Sequence, residues 1–185
     1  MKSVPFDLQA EQSTLGACLL DREAIIAIAG WLTPDHFYLE KYALLYEAML
    51  ACFNRREPLN LTTVSTELRR QERLDLVGGM PTLMELTESA ISAVHVEYYG
   101  RIVEQAAGRR RLIEAGGKIA ALGFDETEEL GLTFDRAEQI LFEVTQRSSL
   151  SGGLLTARPA WERHGRDGRG VRVELPRVGH LRRAS

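Results

Sequence analysis

Residues 94–122, VHVEYYGRIVEQAAGRRRLIEAGGKIAAL, decide how this chain is built. No proline interrupts them, and apolar or small side chains recur at Tyr99, Ile102, Ala106, Ile113, Gly117 and Ala120. Steps of three and four residues mark an α-helix, here about 43 Å long at a rise of about 1.5 Å per residue. Gly123, Asp125 and Gly131 break the pattern, so 123–131 reads as a loop. A second helix, over 132–147, carries Phe134, Ala137, Leu141 and Val144. That near-heptad stripe calls for a partner helix at a shallow crossing angle. Two such helices joined by a short loop make an antiparallel hairpin. Ala106, Gly116 and Gly117 keep one face of the long helix thin enough for close approach. A two-helix hairpin with apolar residues on more than one face cannot cover them all itself, so a second copy of the chain is the expected cover. The expected interface comprises Tyr99, Ile102, Ala106, Ile113, Phe134, Leu141 and Val144.

Upstream of the hairpin the chain reads as short helices with brief breaks. Asp7 is placed to cap a helix carrying Leu8, Leu15 and Leu19, and Asp21 a helix carrying Ile25, Ile28 and Leu32. Thr33-Pro34 sets a hydroxyl before a proline at the first helical position, so a helical turn starts there. Tyr42, Leu45, Tyr46, Met49 and Phe53 share a stripe over 40–53. A short helix to about Gln71 points Val64 and Leu68 inward. Gly78-Gly79 closes a turn, and Pro81 opens the next helix with Leu83, Met84 and Leu86. No segment shows sustained period-two alternation of β-branched residues. The expected fold is all-α: a globular helical head over 1–92, the hairpin over 93–148, and an Arg/Gly-rich tail over 149–185, read as disordered or out of frame.

Of the 185 residues, 44% are hydrophobic, ordinary for a globular protein. No apolar run approaches the ~20 residues a membrane helix needs, and the first residues do not form a signal peptide. Cys18 and Cys52 both sit in helical apolar segments and read as buried thiols in a cytosolic protein. Neither has a second Cys or His at metal-ligand spacing, so no metal site is expected. The net charge of −3 divides unevenly, −8 over 1–149 and +5 over 150–185. An acidic body does not grip a phosphate backbone and suits protein partners better. The arginines of the tail leave room for weak, salt-sensitive nucleic-acid binding.

Several pieces of the chain, in order, carry a resemblance. Pro5-Phe6-Asp7-Leu8-Gln9-Ala10-Glu11-Gln12 continuing to Leu15-Gly16, then Leu32-Thr33-Pro34-Asp35-His36-Phe37-Tyr38, then Val77-Gly78-Gly79 with Leu83, are similar to segments of the DnaB-type replicative helicase N-terminal domain. Tyr99-Gly100-Arg101-Ile102-Val103, Arg110-Arg111-Leu112-Ile113 and Ala137-Glu138-Gln139-Ile140-Leu141-Phe142 resemble its long and final helices. The resemblance covers about residues 5–147. It implies a helical head and hairpin that assemble as a dimer or hexamer collar, a docking surface for primase, and contact with a helicase loader. It also implies a bacterial, cytoplasmic place in DNA replication. ATP and Mg belong, by the same resemblance, to a separate motor domain.

No gly-x-x-x-x-gly-lys-ser/thr loop occurs in the sequence, so no ATPase chemistry and no cofactor are expected of this chain alone. The family's linker is unrecognisable after about Ser148, which raises the expectation of a truncated or frameshifted helicase gene. Among individual residues, the triplet Arg109, Arg110 and Arg111 is a possible contact for a partner or DNA, set against a solvated face paired with Glu104 or Glu114. His36 and His95 have no nucleophile partner recognisable by motif and read as structural or surface groups. Glu11 and Gln12 read equally as partner contacts or as local capping. The aromatic stripes read as core, and Glu128-Glu129 as solvated charge.

Overall fold

A computed structural model describes residues 3–89, 93–125, 127 and 129–150. Every regular element among them is helical: α1 (Leu8–Leu20), α2 (Arg22–Ile28), a 3₁₀ turn (Pro34–His36), α3 (Glu40–Asn54), α4 (Leu61–Arg70), α5 (Gly79–Ser89), a 3₁₀ turn (Ala93–His95), α6 (Val96–Phe124) and α7 (Leu130–Leu150). The all-α expectation holds. The tail expected from 149 begins inside α7, and residues 151–185 lie outside the described residues.

Caps explain where the helices start. The Asp7 carboxylate accepts the Ala10 N–H at 2.9 Å, and Asp21 accepts the Glu23 N–H at 2.9 Å, so one residue ends α1 and opens α2. Asn60 accepts the Thr63 N–H at 3.0 Å while the Thr63 hydroxyl accepts the Asn60 N–H at 3.2 Å, a reciprocal cap on α4. At Pro34 Thr33 and His36 form a reciprocal capping box, so the expected start of a helical turn is there. Thr33 donates its hydroxyl to Asp35, and its backbone N–H goes to Nδ1 of His36 at 3.3 Å. Past the end of α3 lies Arg56 (φ 62), past the end of α4 Glu72 (φ 58), and in the turn before α5 Gly78 (φ 91), all in the left-handed region. Only the third is the glycine that region favours; at the other two the side chain costs about 1 kcal/mol.

The core forms around α1, which touches α2, α3, α5 and α6. Ser13, Thr14, Gly16, Ala17 and Cys18 are all buried, so α1 is covered on nearly every side and its small residues let four neighbours approach. Leu8, expected inward, is exposed at the rim. Leu45, Tyr46 and Met49 of α3, Val64 and Leu68 of α4, and Leu83 and Leu86 of α5 close the core. Cys18 and Cys52 are free, buried thiols, and burial pushes Cys18 up to about 12. Buried Glu67 receives Arg55 at 2.7 Å and Arg70 at 2.8 Å, with Gln71 also donating. The Arg70 hydrogen bond, more than any other contact, holds its carboxyl down at about 2.

Helix α6 serves two parts of the molecule. Val96, Gly100, Val103, Ala106 and Ala107 are buried, while from Gly108 onward Ala115 is the one buried residue among those described. The first three turns of α6, beyond the boundary expected at 92/93, are built into the head. Gly100 makes this possible. A Cβ there would lie 2.8 Å from Cη2 of Trp31. The Trp31 indole donates to the Ala27 carbonyl at 3.0 Å, and the Arg101 guanidinium lies 3.8 Å from the ring centre. Arg101 is itself held at 2.8 Å by buried Glu104.

A candidate assembly surface on the helical hairpin

The stripe predicted on α7 divides between two faces. Residues seven apart return to the same side of a helix, whereas three apart differ by about 60°. Ala137 and Val144 are accordingly half-buried, and Val144 shares a notch of about 200 Å³ with Ile140 and with Ala115 of α6. Phe134 and Leu141 point outward, 62% and 51% exposed, and Phe142 beside them is 61% exposed. On α6, Ile113 is 56% and Phe124 88% exposed. Gly116 and Gly117 leave open space, since a Cβ on either would meet nothing within 4 Å.

Tyr99, Ile102 and Ala106 do not join this surface. Tyr99 and Ile102 pack against the head's core and Ala106 is buried, so the same molecule already covers them. Their step pattern matched that of Ile113 because a head and a second copy impose the same helical period. What the structure leaves exposed on the hairpin is Ile113, Phe134 and Leu141, with Phe124 and Phe142 added.

The arginine triplet also divides. Arg109 is exposed. Arg110 is turned inward, donating to the Pro5 carbonyl at 3.0 Å and the His36 carbonyl at 2.6 Å. Arg111 lies 3.4 Å from Nε2 of His36 and 3.8 Å from the Asp35 carboxylate. The expected pairing with Glu104 or Glu114 is not what fixes these two. Glu104 holds Arg101, and Lys118 reaches Glu114 at 2.6 Å. Together Arg110 and Arg111 fasten the N-terminal segment and the 3₁₀ turn to the middle of α6, where the hairpin leaves the head. Partners 105 and 74 residues away give no local sequence signal.

Glu11 and Gln12 of the opening motif make contacts within the head, to residues distant in sequence. Glu11 is buried and accepts the N–H groups of Tyr38 at 2.7 Å and Leu39 at 3.4 Å, a negative charge at the start of α3. Burial raises its pKa, against the pull of those N–H donors. Gln12 donates to the Tyr42 hydroxyl at 2.9 Å. His36 is buried, and desolvation lowers it to about 4, so it is neutral and structural. His95 is exposed just before α6. Phe6 stacks on Tyr38 with centroids 4.5 Å apart, beside Arg110. Glu129 is exposed, while Glu128 lies outside the described residues. Among the described residues no three His, Cys, Asp or Glu side chains are grouped to hold a metal, and no helix is long and apolar enough to cross a membrane.

Comparison with known proteins gives this geometry a family. The model of the DnaB-like helicase N terminal domain matches residues 3–105. The replicative DNA helicase DnaB of Geobacillus stearothermophilus is 38% identical over 143 residues, 77% of this chain and 32% of that protein. The replicative DNA helicase DnaC of Bacillus subtilis (strain 168) is 37% identical over 147 residues, 80% of this chain and 32% of that one. The chain thus spans about a third of the length of these relatives. Among solved structures, the N-terminal domain of DnaB helicase from Mycobacterium tuberculosis aligns with a TM-score of 0.73 at 36% identity, covering 76% of this chain and 99% of that one. A DnaB-like replicative helicase, described with its interactions with primase, shares the fold at a TM-score of 0.63 and 24% identity, covering 76% of this chain and 31% of that one. By the family-model match over more than half of its length, the chain belongs to the family of DnaB-like helicase N-terminal domains.

Proposed function

We propose that this chain is an assembly and docking module of a bacterial replicative DNA helicase and performs no chemistry itself. One observation carries the reading: beyond Ala107 the hairpin leaves the head and shows Ile113, Phe124, Phe134, Leu141 and Phe142, each more than half exposed. Large apolar side chains clustered on a projecting element are covered by another protein surface. A second copy is the first occupant, pairing the same face on both molecules. Burying four such side chains gains about 1.5–3 kcal/mol each, against about 4–15 kcal/mol lost on association. Pairing of isolated chains is therefore weak, and a larger ring would strengthen it.

Primase docks, in this reading, on the hairpin so assembled, with a helicase loader as a further partner. Any DNA contact made by this chain is weak and comes from the tail. ATP and Mg are handled by a motor domain elsewhere in the intact helicase, and the protein acts in the cytoplasm. Light scattering tests the core of the proposal. Wild-type chain shows mass above the monomer at high micromolar concentration, and Phe134→Glu with Leu141→Glu returns it to monomer with the helical spectrum intact. A strict monomer throughout that also ignores purified primase would overturn it. DNA-stimulated ATP hydrolysis by the chain alone would overturn its non-catalytic part.

A further inference from the structure

In the head, a groove of about 610 Å³ lies between α2 and the start of α6. Its floor is made of short side chains, Ala24, Ala27 and Ala93. Val94, 84% exposed, and Tyr98, 65% exposed, stand on its rim. Asp21, Glu23 and Glu97 also line it, and no Lys or Arg is among the described lining residues. We infer that this groove receives a cationic amphipathic helix of a partner protein, with its apolar side chains on the alanine floor and its Lys or Arg side chains against the three carboxylates.

The chemistry selects that occupant over the others. Nucleic acid and an anionic lipid surface would bring negative charge to three carboxylates. The body of a second copy, −8 over residues 1–149, would be repelled; its +5 stretch over 150–185 is the one part of this chain with the right charge, and the mass measurement below separates that case. The alanine floor leaves room for leucine-sized side chains, and a helix presents those at three- and four-residue steps with its basic residues on the flanks. The site is separate from the hairpin reading and stands whether or not the hairpins pair.

The test uses the full chain and a synthetic peptide of about 18 residues, leucine on one helical face and arginine on the other. Amide shifts measured by NMR are expected to concentrate at Ala24, Ala27, Val94 and Tyr98, with binding that weakens as salt is raised. Glu23→Lys with Glu97→Lys, both at exposed positions, is expected to weaken binding roughly three- to twenty-fold, and the same peptide with glutamate in place of arginine is expected to recover it. Equal binding of the glutamate peptide to the wild-type chain would overturn the inference, as would shifts confined to α7. A change in the chain's own mass by light scattering on making the two substitutions would also overturn it, by marking the groove as a contact between copies.

Discussion

Gly100→Ala puts two effects of known sign against each other. Inside a helix, alanine is favoured over glycine by about 0.8–1 kcal/mol, so the substitution stabilises wherever a methyl fits. At Gly100 it does not fit: the added carbon would lie 2.8 Å from the edge of the Trp31 ring and 3.6 Å from Ile28. The ring cannot swing aside cheaply, because its N–H is bonded to Ala27 and Arg101 covers its face. Overpacking of this kind costs about 1–3 kcal/mol, leaving a net loss of about 1 kcal/mol. With a urea slope of about 1–3 kcal/mol per molar, the midpoint by circular dichroism falls by roughly 0.5 M. Gly108→Ala, on the same helix with nothing within 4 Å of the new carbon, is the control and raises the midpoint. Removing the obstacle reverses the sign: in a Trp31→Leu background, Gly100→Ala stabilises. If Gly100→Ala stabilises the wild-type chain as much as Gly108→Ala does, the close approach of Trp31 is not what keeps glycine there.

Three further outcomes are expected. Arg110→Ala leaves the Pro5 and His36 carbonyls without their charged donor and lowers stability by about 2 kcal/mol; hydrogen exchange of residues 8–11 rises with it, and unchanged exchange would refute the clamp. Between pH 6.5 and about 4, stability falls as the solution is acidified, because His36 keeps its proton off in the folded chain while the unfolded chain takes one up; His36→Gln flattens urea midpoints over that window. Glu67 acts lower, its stabilisation present above about 4.5 and lost as pH falls toward about 2, so Glu67→Gln costs stability at neutral pH and removes that acid-limb slope.

What the sequence shows plainly are features fixed by near neighbours. Asp7 and Asp21 cap because the N–H groups they accept are three and two residues away. Helix α6 is one unbroken helix as its period predicts, although it runs Val96–Phe124 where 94–122 is expected, and Gly123 and Gly131, expected in the loop, lie inside α6 and α7. Helix α1 is the opposite case. It is surrounded on nearly all sides, so its apolar and small residues show no face, and Leu8 was misplaced. The arginine triplet fails for a related reason: charge next to Glu104 and Glu114 is visible in the sequence, whereas carbonyls of Pro5 and His36 carry no side-chain identity at all.

The same logic explains why the candidate surface was half legible. Periodicity reports that a helix face is covered, not what covers it. Tyr99 and Ile102 meet the head of their own chain, and Ile113 meets open solvent, yet all three fall on steps that one period accounts for. The clamp marks the change between them. Arg110 and Arg111 tie α6 to the 3₁₀ turn of the head, and the large apolar residues beyond them, Ile113 and Phe124, are exposed; in the function proposed above their cover is another molecule. In the assembly proposed above, a hairpin fastened at its base would present its exposed face at a set angle to the head, and the rotation between successive copies would decide whether they close into a ring or run on as an open chain.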